Sequence, residues 1–152
     1  MTLIFCLNSV RDLFAKLQRD SDALDEEVTS DGLFNFVVTG YSMIDWLKND
    51  PAVPASAKAD IVVSDLRKDK WLKVYGDLAI ASKHFKLKQR VPVTSSATTS
   101  QGFGVGRYGK GGYGVGEESI EVQLNDGATF HCIELVQGVI ASWQTFFAAH
   151  NI

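Results

Sequence analysis

Cysteine and proline are scarce in this chain, with two and three among 152 residues. Two cysteines, Cys6 and Cys132, are too few for a disulfide framework and read as buried free thiols in a reducing compartment. The three histidines show no metal-ligand spacing, and no Ser–His–Asp order or paired-carboxylate signature stands out. Neither a metal nor a cofactor is expected. The stretch from Met1 to Phe14 lacks a basic n-region, and its apolar run is too short for a secretion signal. The most apolar segment, Leu33 to Leu47, is interrupted by Asn35, Thr39, Ser42 and Asp45, and falls short of the ~20 residues needed to span a bilayer. These absences point to a soluble, cytoplasmic protein without membrane contact. What is present, 45% hydrophobic and 22% charged residues with a net charge of −3, fits one folded domain over 1–152.

Periodicity supplies the elements. Val10, Leu13, Phe14, Leu17, Leu24 and Val28 form one stripe at helical spacing, with Ser9 as N-cap. A second helix starts at Ser30 or Asp31 and runs to Trp46 or Leu47. It is apolar most of the way round, with Leu33, Phe36, Val37, Ile44 and Leu47 on one side and Phe34, Val38 and Tyr41 on another. Such a helix is expected to be buried and central, with Gly40 admitting a close neighbour. Asp45, on the flank of Phe34, Val38 and Tyr41, then becomes a buried carboxylate in need of a cation or several hydrogen bonds. A short helix carries Ile61, Val62 and Leu66. A longer one, from about Asp69 to Leu87, presents Trp71, Val74, Tyr75, Leu78 and Phe85.

From Arg90 the period changes. Val91, Val93 and Thr94 have strand character, with Pro92 marking an edge. Ile120, Val122 and Leu124 alternate with polar residues, and Asn125-Asp126-Gly127 is a hairpin turn leading into a strand through Phe130. A last helix over 133–149 carries Val136, Val139, Ile140, Trp143 and Phe147. The expected fold is α+β. It is a mostly helical bundle of about four main helices (9–88) with a small antiparallel sheet or hairpin (90–132) inserted before the last one.

Between the strands lies a glycine-rich segment, Gly102 to Gly116, with eight glycines in fifteen residues. Its two arms mirror each other and, if paired, place Phe103, Val105, Tyr113 and Val115 on one face; the alternative is a loop that is mobile in the free protein. Matches to two phosphate-binding patterns within it lack the helix those patterns need. Arg107, Tyr108, Lys110 and Tyr113 near its tip are candidate contacts for a partner.

Charge is unevenly spread: residues 1–66 carry net −6, residues 67–90 net +6 and residues 91–152 net −3. The basic run includes Lys73, Lys83 and Lys86, a solvated face or a possible contact for nucleic acid. Within it, Asp77 and His84 fall on one strip of the long helix, ~10.5 Å apart along its axis by helical rise, and so bracket a ligand rather than bond directly. Asp45 and His84 could share a site.

The stretch from Asp77 to Phe85 resembles a D-x-A-x-A-x-K-H-F element of an uncharacterised family of small bacterial and phage proteins of mixed helical and β character. More distantly, Phe34 to Phe85 resembles HEPN domains, helical bundles that often act as ribonucleases in bacterial conflict systems. The resemblance implies a helical architecture. The HEPN ribonuclease pattern has an arginine four to six residues before its histidine, whereas Leu78, Ala79 and Ile80 stand there before His84, so nuclease activity is not carried over.

Together these features favour a non-enzymatic binding or regulatory module that engages a protein partner, in bacterial or phage regulation or conflict. The alternative is a HEPN-like RNA-binding protein or ribonuclease using His84 with Asp77. A small-molecule pocket between the second helix and the long basic helix, and a homodimer, are further expectations.

Overall fold

A computed structural model describes residues 6–84, 92–101, 105, 107–109 and 117–152. It is α+β, with five helices and a three-stranded antiparallel sheet placed before the last helix. The helices are α1 (Val10–Glu26), α2 (Ser30–Asn49), α3 (Asp60–Leu66), α4 (Lys70–Lys83) and α5 (Cys132–His150), with a 3₁₀ turn at Ala55–Lys58. The strands are β1 (Thr94–Ser100), β2 (Ser119–Leu124) and β3 (Thr129–His131), in the order β1-β2-β3.

Local chemistry explains the helix ends. The Ser9 hydroxyl accepts from the Asp12 N–H at 3.1 Å, and the Asp12 carboxylate accepts from the Asn8 N–H at 2.9 Å. The first bond satisfies a donor that the first helical turn leaves open, and the Asp12 carboxyl is held below its usual range, the Asn8 N–H being the main cause. A further α1 donor, the Val10 N–H, is met at 2.8 Å by Asp50, a buried carboxylate just past the end of α2. Thr29 caps α2, and Asp69 caps α4 through the Trp71 and Leu72 N–H groups.

The core is built around α5. Leu135, Val136, Val139, Trp143, Phe146 and Phe147 are buried, and Phe14 of α1 meets Phe147 edge-on with ring centroids 5.1 Å apart. Truncating a side chain such as Trp143, fully enclosed here, typically costs about 3–5 kcal/mol. The most tightly packed of the described glycines is Gly138 of α5. A Cβ there would lie 2.4 Å from the Trp71 ring, so only glycine lets that indole pack across α5 and against Phe130. Gly40 plays no such part, because a Cβ there would meet Leu17 and Tyr75 at an ordinary 3.6 Å.

The hairpin turn at Asn125-Asp126-Gly127 forms as its sequence predicts, with Gly127 at φ 89° and the Leu124 N–H donating to the Ala128 carbonyl. Other expectations are corrected. The first strand is not centred on Val91–Thr94. It starts at Thr94 and continues through serine, threonine and one alanine, because pairing with β2 supplies the ladder that apolar content was expected to signal. The helix described as α4 ends at Lys83, with His84 as its C-cap; the expected extension to Leu87 lies outside the described residues. Cys132 is buried but Cys6 is exposed. The pairing of the two glycine-rich arms also lies outside the described residues.

Candidate functional site

The residues singled out by sequence fall into three places. The first is a clamp at the base of the glycine-rich segment. Glu117 is 1% exposed. Its Oε1 accepts from the Val28 N–H at 2.7 Å and from Arg107 Nη2 at 2.7 Å, while its Oε2 accepts from the Arg107 N–H and Nε. Arg107 also donates to Asp25 Oδ1 and to the Leu24 and Asp25 carbonyls in the last turn of α1. A cation at that helix end is favoured by the open carbonyls and the helix dipole. Burial by itself would raise the Glu117 pKa; the bonds from Arg107 and Val28 and the charge of Arg107 outweigh it, holding the carboxyl at about 2. The guanidinium is raised in turn by its bond to Glu117. Arg107 therefore ties the segment to α1. Tyr108 beside it is fully exposed, while Lys110 and Tyr113 lie outside the described residues. Glu117 was not singled out by the sequence, where it is simply one of two adjacent glutamates after a run of glycine.

The second place is the end of α4. Asp77 is 2% exposed, and its Oδ2 accepts from the Val93 and Thr94 N–H groups at 2.7 and 3.0 Å, fastening the start of β1 to α4. His84 is exposed at the C-cap, its N–H donating to the Ile80 carbonyl. Lys83 is exposed on the last turn, Lys73 is half-buried nearer the start of the helix, and Lys86 lies outside the described residues. Asp77 and His84 thus occupy different surroundings, one enclosed and serving the backbone, the other in solvent. The buried Cys132 thiol is pushed up to about 12 by desolvation, far from a reactive thiolate. Among the described residues, no group of three or more His, Cys, Asp or Glu stands where it could hold a metal ion, and no helix is long and apolar enough to cross a membrane.

The third place was misjudged from the sequence. The flank of α2 expected to be buried is open: Phe34, Val38 and Tyr41 are 48, 39 and 45% exposed. Asp45 on the same flank is exposed too, and its carboxylate accepts from the Asn49 side chain rather than from a buried cation. The reason is architectural. Helices α1, α4 and α5 pack against α2, whose face bearing Leu33, Phe36, Val37, Met43, Ile44 and Leu47 is buried while the flank of Phe34, Val38 and Tyr41 stays about half open.

This flank runs along a seam between α2 and α4 with a groove at each end. The first groove, about 450 Å³, is lined by Leu33, Phe34 and Val37 of α2, Leu78 and Ala81 of α4 and the inner side of β1. The second, about 640 Å³, lies between Tyr41, Ile44, Asp45 and Lys48 of α2 and Leu72, Lys73, Tyr75 and Gly76 of α4, with Arg67 and Val93 at its rim. Phe34 lines the first, Tyr41 lines the second, and Val38 lies between them on the same helical face. The first half of the seam is mainly apolar, with Ser30, Asp77 and Ser82 also in its lining, and the second is lined by Lys48, Arg67, Lys73 and Asp45. Burial of Tyr75 beneath the second groove raises its phenol pKa, so that side chain stays neutral at any physiological pH. Comparisons of the chain with protein-family models, with curated proteins and with solved structures find no match.

Proposed function

We propose that this chain is a non-enzymatic binding module that engages a protein partner along the α2–α4 seam. The observation that carries this reading is the row of Phe34, Val38 and Tyr41, three large apolar side chains on one face of a helix whose opposite face forms the core. Single exposed apolar residues are ordinary on protein surfaces. A contiguous row that opens on a groove at each end is the pattern of an interaction surface. Aromatic side chains at such positions bury large area on association while losing little conformational freedom.

The test compares the wild-type chain with a Phe34→Ser/Tyr41→Ser variant as immobilised bait in lysate of the native host. Both side chains are about half exposed, so each substitution is expected to cost about 1 kcal/mol of stability. A partner held by wild type and released by the variant supports the seam as the binding surface. Equal retention by both moves binding away from α2. Loss of the same partner only in a Tyr108→Ser variant would place it on the glycine-rich segment.

A further inference from the structure

The register of the sheet says more about the partner. Residues directly opposite one another in an antiparallel pair share a face. Thr99 faces Ile120 and Ala97 faces Val122, while Ile120 and Val122 are 2% and 0% exposed against the core. Ala97 and Thr99 therefore point to the core side of the sheet, yet both are exposed. Strand β1 overhangs the edge of the core, and the first groove is the space beneath it, left open because alanine and threonine are too short to reach Phe34 and Leu78.

The same strand is the rim of its sheet: β2 pairs with one edge, and among the described residues no strand pairs with the other. Its seven residues contain no charge and no proline. Exposed edges usually carry lysine, proline or a covering element that discourages pairing with another chain. Here the only irregularity is the register shift between Thr94 and Ser96, at one end.

We infer that β1 accepts an extended segment of a partner protein as a fourth strand, whose alternate apolar side chains fill the groove against Phe34 and Leu78. This rests on the protein-binding reading above. Charge complementarity sets the rest of the segment. Val93, at the Thr94 end of β1, borders the second groove with its Lys48 and Arg67, so residues leaving the added strand at that end are acidic. A docked helix would leave unused the backbone groups of β1 that no described strand pairs, whereas an added strand pairs them and presents side chains at the period of two the groove requires. A second copy of this chain pairing through β1 would offer only serine, threonine and alanine to an apolar groove.

The experiment is selection of a displayed library of random peptides, each about 12 residues and so longer than the strand they would meet, on the purified chain. Expected are sequences with apolar residues at alternate positions and Asp or Glu at one end. A labelled member of that set should lose about tenfold or more in affinity on Ala97→Phe, which fills the groove from an exposed position. Its preference for acidic residues should vanish on Lys48→Glu/Arg67→Glu. N-methylation of one alternate set of its amides should abolish binding and of the other set should not. Apolar residues at spacings of three and four, or indifference to both N-methylation sets, overturn strand addition while leaving the seam intact if Phe34→Ser still abolishes binding. Enriched peptides indifferent to Phe34→Ser, or no enrichment at all, overturn the protein-binding seam as well. A dimer of wild type in native mass spectrometry that Ala97→Phe dissolves would assign the strand edge to a second copy instead.

Discussion

The two long sides of this molecule solve the same problem differently. On the α1–α5 side the carboxylates that enter the interior are matched: Glu117 meets Arg107 and the Val28 N–H, and Asp50 meets the Val10 N–H. On the α2–α4–β1 side the buried Asp77 carboxylate meets the Val93 and Thr94 N–H groups, yet large apolar groups stand uncovered. A closed side that tolerates no change and an open side that tolerates most of it are what separates a scaffold from a binding surface.

The comparison breaks most visibly at the clamp. Arg107→Met removes the cation from a buried carboxylate, and loss of one partner of such a pair is expected to lower stability by about 3–5 kcal/mol, read from urea unfolding at neutral pH. The pH dependence sharpens the same point. The Glu117 carboxyl sits near 2 in the folded chain against an ordinary 4.5, so its contribution is complete above 4.5 and is lost as pH falls toward 2. Unfolding followed between pH 5 and pH 2 should show that decline, and Glu117→Gln should flatten it. An unchanged slope in the variant would move the acid sensitivity to other carboxylates.

Smaller effects divide two glycines. Gly138→Ala drives a methyl group into the Trp71 ring and should destabilise by about 1–3 kcal/mol despite the better helix propensity of alanine. Gly40→Ala finds ordinary space beside Leu17 and Tyr75 and should stabilise by up to about 1 kcal/mol. Thermal melts of the two variants shifting in the same direction would contradict this packing. On the open side, Phe34→Ser removes a half-exposed ring and is expected to lower stability by about 1 kcal/mol while abolishing partner binding.

Much of the architecture was legible. The stripe of α1, the Ser9 cap, the Asn125-Asp126-Gly127 turn and the aromatic face of α5 depend on neighbours close in sequence, and each formed where its pattern placed it. The site was less legible, for reasons that particular residues show. Phe34, Val38 and Tyr41 have the composition of a buried flank, and nothing local to α2 reveals that they stay about half open. Glu117 accepts from the Val28 N–H across 89 residues of chain, just past the end of α1, and Asp50 caps α1 from 40 residues away. The polar β1 is a strand because β2 is beside it.

Helical and hairpin identity, capping and the inward faces of α1 and α5 thus follow from the order of residues alone, since they rest on backbone periodicity and contacts within a few positions. Which side of α2 meets water, which carboxylates are enclosed and where a sheet edge is left open were decided only in three dimensions. Burial is a property of what packs against a residue, and a helix pattern cannot say how many neighbours will arrive.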